Sequence, residues 1–203
     1  MSIDNLHLPE LSVNGFRGVD QLSIPRLGRV TLLAGKNSVG KTTVLDAVRV
    51  YAGRGRYSVL SELLRDRQEL TDITDEDGDP IALDWMSLFH GRNPNKRTEI
   101  SIGPANIEDR LRINIIDDPQ EELFPDHLGD NMGLKVAFRE YDQSLLDLSY
   151  NGRYRYSRSR RLTREDEPLP AIACEYLGPG MLSERNTSRL WDSVPLTLSL
   201  IHI

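Results

Sequence analysis

GKNSVGKT, residues 35–42, decides how the chain is read. It sets glycines at positions 35 and 40 and follows the second with Lys41 and Thr42. Glycine at both ends lets a loop curl with its backbone N–H groups turned inward and no Cβ in the way. Such a loop cradles a polyphosphate, and a helix starting at its end aims the positive end of its dipole at the same place. In that setting Lys41 brings a point charge to the β- and γ-phosphates, the Thr42 hydroxyl a ligand for Mg²⁺, and Thr43 a hydrogen bond to the α-phosphate. The pattern G-x-x-x-x-G-K-[ST] is met in full, but the same letters also arise in unrelated turns, so the flanking sequence has to decide.

Upstream, RVTLLAG (29–35) is almost continuously apolar through Val30, Leu32, Leu33 and Ala34. That suits a strand buried on both faces in a parallel or mixed sheet covered by helices. Downstream, KTTVLDAVRVYAGRG sets Val44, Leu45, Val48 and Tyr51 on one helical face, with Gly53 and Gly55 as the stop. Strand, glycine loop and helix follow in direct succession, which is the context a phosphate loop needs.

Around this unit, ELSVNGF and QLSIP read as short strands through Leu11, Val13 and Phe16, then Leu22 and Ile24. Residues 58–70 predict a second amphipathic helix with Leu60, Leu63 and Leu64 inward, and 81–92 a third, shorter one beyond an acidic turn-rich link. From residue 98 the apolar period falls to two: Ile100 and Ile102, then Leu111, Ile113 and Ile115, then Leu134, Val136 and Phe138. LDLSYNGRYRYS predicts a hairpin whose type I′ turn is centred on Asn151 and Gly152. AIACEYL (171–177) reads as another buried strand, and 185–191 as a short helix. The expected organisation over 1–203 is a single domain: a nucleotide-loop region (1–97), an antiparallel β insertion (98–165) and a return segment (166–203).

Composition narrows the function classes. A formal charge of −6 argues against whole-surface attraction to nucleic acid or anionic membranes. The single cysteine, Cys174, excludes an internal disulfide and a cysteine-based zinc site. The N-terminus has no basic stretch leading into an apolar core, and no apolar run approaches the roughly 20 residues of a membrane helix. A cytoplasmic protein is expected. Six arginines lie between positions 153 and 164, interleaved with Tyr154 and Tyr156. They suit either contact with a DNA backbone or a charged sheet edge that resists pairing with other chains. DITDEDGD lacks the spacing of a calcium loop, the four histidines are dispersed, and Cys174 reads as core.

Residues 11–52 resemble the N-terminal ATPase segment of the RecF, SMC and OLD-nuclease group of ABC-type P-loop ATPases, also described as AAA-type ATPase cores. The resemblance is carried by the strand leading to Phe16, Arg17 and Gly18, by QLSIP, and by GKNSVGKTTVLDAV with Asn37 and the pair Thr42–Thr43. A looser likeness continues through the β insertion and 171–197. It implies an α/β fold, the N-terminal half of an ABC-type ATPase head with an antiparallel β subdomain, and ATP with Mg²⁺ as cofactors. It also implies that Gly35, Asn37, Ser38, Val39, Gly40, Lys41, Thr42 and Thr43 line the phosphates and metal, that Lys41 is catalytic, and that Arg17 stands beside the nucleotide. In the full-length protein, paired heads would form a homodimer and couple hydrolysis to DNA maintenance or phage defence. An ATP-dependent switch module without turnover is the alternative, whereas a GTPase or kinase is disfavoured because no guanine-reading NKxD appears and Asn37–Ser38 fits the ABC-like group better.

Two departures accompany the resemblance. Such ATPases need an apolar strand ending in Asp–Glu and a Ser/Gly-rich signature loop. INIIDDPQEE offers Asp117 and Asp118 as metal-binding candidates, yet LRINI alternates like an antiparallel strand and no signature loop precedes it. Gln120 and Gln143 are the candidates for the group's lid glutamine. The apolar ending LSLIHI, part of which looks like a translated sequencing adaptor, reads as a truncation, although a last strand slotted into a sheet would look the same.

Overall fold

The computed structural model describes residues 8–28, 30–36, 40–70, 83–94, 97–117, 132–138, 142–147, 150–151, 154–155, 158–161 and 199–202. The strands are β1 (Leu11–Phe16), β2 (Val19–Ile24), β3 (Val30–Leu33), β4 (Glu99–Gly103), β5 (Leu111–Asp117), β6 (Met132–Phe138), β7 (Asp142–Asp147), β8 (Tyr150–Asn151), β9 (Tyr154–Arg155), β10 (Arg158–Arg161) and β11 (Ser199–His202). Two α-helices, α1 (Lys41–Ala52) and α2 (Tyr57–Asp66), lie between β3 and β4.

Seven strands form one sheet in the order β10-β7-β6-β5-β4-β1-β2, and every pairing in it is antiparallel. Because side chains alternate across a strand, register decides which set is buried. Ile113 pairs with Ile100 and Val136, and Leu111 with Ile102 and Phe138, so the apolar residues of three strands gather on one face. All of them are at most 2% exposed. The N-terminal hairpin joins this sheet through β1 and β4, with Val13 opposite Ile102. The sheet therefore draws strands from both sides of the expected 97/98 boundary.

Helix α1 packs on β1 and β4, and α2 packs on α1. In α1, Val44, Val48 and Tyr51 are buried as expected, but Leu45 is half-buried while Asp46, Ala47, Val50 and Ala52 are also buried. The helix is thus enclosed on more than one side, which the one-face reading of its sequence missed. Tyr51 meets Phe138 edge to face at 5.8 Å, and the Arg54 guanidinium stacks 3.7 Å above the Phe138 ring. The α1 terminus is closed by Gly53 N donating to Arg49 O and Gly55 N donating to Val50 O. Gly55 has φ +60°, and a Cβ there would fall 2.6 Å from Val136 Cγ1, so both backbone and packing require glycine. In α2, Leu60, Leu63 and Leu64 point inward as expected.

Three expectations are corrected. The third helix is instead a pair of short 3₁₀ turns, Trp85–Leu88 and His90–Arg92, the first capped by the Asp84 carboxylate on Met86 N. The hairpin pairs Tyr150 with Arg155 and Asn151 with Tyr154, so Asn151 is a paired strand residue rather than the first residue of the turn expected from sequence. Strand β3 is not buried on both faces: Val30 and Leu32 are 66% and 56% exposed. It pairs in parallel with β11 in a separate two-stranded sheet, and Leu33 alone of its apolar residues packs against the core. The acidic link 71–80, the strand 171–177 with Cys174, and the helix 185–191 lie outside the described residues. No helix among the described residues is long and apolar enough to cross a membrane.

Candidate functional site

Strand β3 feeds the glycine loop, and the loop feeds α1. Gly40 is the residue before the helix and takes φ 91°, ψ 9°, a left-handed conformation that glycine adopts without strain. Among the described residues no side chain caps the helix, and its first turn carries no acidic residue. The first N–H groups of an α-helix have no partner within it, and here no capping side chain takes their place. The start of α1 therefore presents backbone donors and the positive end of its dipole towards the loop, the arrangement that binds anions.

Lys41 folds back across that loop. Its ammonium donates to Gly35 O at 2.8 Å and to Lys36 O at 2.7 Å, and both bonds are exposed. The charge thus stands over the same turn whose backbone would face a phosphate, held by contacts that exchange readily with water or with a stronger acceptor. Thr42 and Thr43 are half-buried in the first turn of α1. Asn37, Ser38 and Val39 lie outside the described residues.

The β1–β2 turn comes up beside this helix start. A Cβ added to Gly18 would stand 3.8 Å from Thr43 Oγ1, and one added to Gly40 would stand 3.8 Å from Val19 Cγ2. Arg17, the residue before Gly18, has φ 54°, and its N–H donates to Leu88 O at 2.9 Å. Its carbonyl lies 2.9 Å from His90 Nδ1. Its guanidinium makes a two-pronged bond to Glu69, at 2.6 and 2.7 Å, and its Nε lies 3.8 Å from Asp46 Oδ2. Asp46, only 1% exposed, accepts from Arg67 Nη2 at 2.7 Å, and Glu69 also accepts from Arg92 at 3.2 Å. Burial pushes the Asp46 carboxyl above its ordinary value, outweighing the Arg67 and Arg17 charges that pull it down.

Sequence reading placed Arg17 and the loop together but not this acidic and basic surround. Glu69 is 52 residues from Arg17, in the stretch 58–70 expected to be helical but beyond the observed end of α2 at Asp66, so only the tertiary fold brings the two into contact. Asp46 carried a signal, a carboxylate among the apolar residues of α1.

Of the remaining candidates, those among the described residues lie on the large antiparallel sheet. Asp117 ends β5, which pairs with β4 and β6 rather than with β3, and the strand beside β3 is β11. Asp118 and Gln120 lie outside the described residues. Gln143 lies in β7 at the register position of Ala137. Of the basic run, Arg158–Arg161 forms β10, the edge strand of the large sheet. Among the described residues no group of three His, Cys, Asp or Glu side chains could hold a metal ion.

A match to a protein family falls on the same stretch. Residues 6–56 match the family described as "Protein of unknown function (DUF2813)", one associated with AAA- and OLD-like ATPases. The uncharacterized protein MJECL10 of Methanocaldococcus jannaschii is 28% identical over 57 residues, which is 28% of this chain. That alignment spans 26% of the relative's own length. The family match takes in β1, β2, β3, the glycine loop and α1, the elements that assemble the candidate site.

Proposed function

We propose that the chain is the nucleotide-binding part of an ABC-type P-loop ATPase of the RecF, SMC and OLD-nuclease kind, binding ATP with Mg²⁺ on the 35–43 loop. The observation that carries this reading is the uncapped start of α1 behind a left-handed Gly40, with the Lys41 ammonium folded over the loop. In this reading backbone N–H groups and Lys41 hold the phosphates, and Thr42 contributes its hydroxyl to Mg²⁺. Catalysis is then mainly positioning and electrostatic stabilisation of the transferred phosphoryl group. Mg²⁺ neutralises charge that develops on the phosphate oxygens.

Hydrolysis belongs to the full-length protein, through a homodimer of heads, and is coupled there to DNA maintenance or phage defence. The placement of Asp117 on the antiparallel sheet favours a chain that binds ATP and needs further elements to turn it over. The same placement keeps open the second reading, a switch module that binds ATP and exchanges partners without turnover.

Titration with ATP and with GTP, followed by steady-state turnover at rising protein concentration, separates these possibilities. The expected result is a preference for ATP, with turnover by residues 1–203 below about 1 s⁻¹, the lower end of ordinary enzymes. Faster turnover would give Asp117 or Asp118 a metal-binding role, and substitution of each by Asn would then abolish it. Absence of nucleotide binding would reject the reading altogether.

A further inference from the structure

Beside the loop, five charged side chains from four separate stretches of chain meet: Arg17, Asp46, Arg67, Glu69 and Arg92. Three are cations and two are carboxylates, which leaves one positive charge in excess. The pairing has built-in redundancy. Asp46 has Arg67 as its hydrogen-bonded partner and Arg17 at 3.8 Å as its second. Glu69 has the Arg17 fork and, at 3.2 Å, Arg92. Arg17 is the member common to both.

Removing the sole partner of a buried carboxylate is strongly destabilising, because the charge is left uncompensated. Neither carboxylate would be left so here: without Arg17, Asp46 keeps Arg67 and Glu69 keeps Arg92. The Arg17 backbone, by contrast, is fixed by Leu88 and His90. The main chain is pinned and the guanidinium is replaceable. Its position matters as well. Asp46 follows Thr42 by four residues on α1, so it lies about 6 Å, just over one turn, further along the same helix face. Gly18 meanwhile rests against Thr43.

We infer that Glu69 stands in for a phosphate in the nucleotide-free protein, holding the Arg17 guanidinium until a nucleotide polyphosphate on the 35–43 loop draws it away. A carboxylate and a phosphate offer the same two-pronged acceptor to arginine, which is why one can replace the other. The Arg17–Glu69 contact is then autoinhibitory. It also ties occupancy of the loop to residues 83–92, which hold Arg17 through Leu88 and His90 and share Glu69 through Arg92. The inference rests on the reading of the loop as a nucleotide site.

Calorimetric titration of the full chain with Mg-ATP tests it, using wild type, Glu69→Gln, Arg17→Ala, Arg17→Lys and the double variant Glu69→Gln/Arg17→Ala, each checked for folding by thermal unfolding. Glu69→Gln is expected to tighten ATP binding roughly three- to tenfold, because a charge-assisted competitor becomes a neutral one. The gain is expected to vanish when Arg17 is also Ala. Arg17→Lys keeps the charge and is expected to recover part of the affinity that Arg17→Ala loses, which a packing role would not predict. A wild type that binds no ATP rejects the loop reading and this inference with it. A wild type that binds, with Glu69→Gln unchanged or with a gain that survives the loss of Arg17, overturns this inference alone. Should Glu69→Gln fail to fold, equal ATP affinities for Arg17→Ala and Arg17→Lys overturn it.

Discussion

In the antiparallel sheet the apolar residues of β4, β5 and β6 are buried in the core, whereas β3, which feeds the glycine loop, leaves Val30 and Leu32 more than half exposed. The sheet is held by long ladders of cross-strand pairs and one contiguous core. The loop is held by a lysine bonded to two carbonyls of its own turn, in front of a helix with no side-chain cap. Stability concentrates where burial and hydrogen bonding are complete, and binding draws on groups left with donors to spare. The two regions meet along α1, whose middle and end pack on the sheet while its start opens on the loop. If this division is right, changes on one side should leave the other nearly untouched.

The largest effect is expected in the sheet. Ile113→Ala removes a side chain buried from water between Ile100 and Val136 and should cost about 2–5 kcal/mol of stability. Denaturant unfolding would measure it, and Mg-ATP affinity of the folded fraction should stay the same. A parallel loss of affinity would mean that the two regions are one cooperative unit.

Next in size is Lys41→Ala. Loss of one charge-assisted phosphate contact should weaken ATP binding by about 1.5–3 kcal/mol, roughly one to two orders of magnitude. The bonds that Lys41 makes without nucleotide are exposed, so the unfolding midpoint should hardly move. Equal affinities for wild type and variant would remove Lys41 from the site.

The smallest effect concerns Asp46, where the regions join. Burial raises this carboxyl in the folded chain above its ordinary value of 3.8. The unfolded chain therefore releases the proton first, and between the two values the folded state binds more protons. The associated stability is fully present below about pH 3.8 and is lost as pH rises through the folded value. Stability measured by denaturant across that window should fall with pH in wild type relative to Asp46→Asn. An opposite slope would show that the arginines, not burial, control the group.

Much of the sheet could be read from period two alone, because Leu111, Ile113, Leu134, Val136 and Phe138 recur at every second position, alternating with Arg112, Lys135 and the small Ala137. The loop and the start of α1 were equally plain, since glycine spacing and a following apolar helix are local signals. What could not be read depends on partners distant in sequence. The exposed face of β3 follows from which strand pairs with it. The burial of Asp46 follows from Arg17 and Arg67 converging on it. The 3₁₀ turns at 85–92 replace a helix because the Asp84 side chain bonds both Met86 N and the Ser87 hydroxyl, a competition that apolar periodicity does not register.

The central claim is that Mg-ATP sits on the 35–43 loop, and hydrogen exchange with and without Mg-ATP tests it most directly. Slowed exchange is expected in peptides covering the loop and the first turn of α1, with the strands β4, β5 and β6 unchanged. No protection at the loop under saturating nucleotide, or protection confined to the sheet, would contradict it.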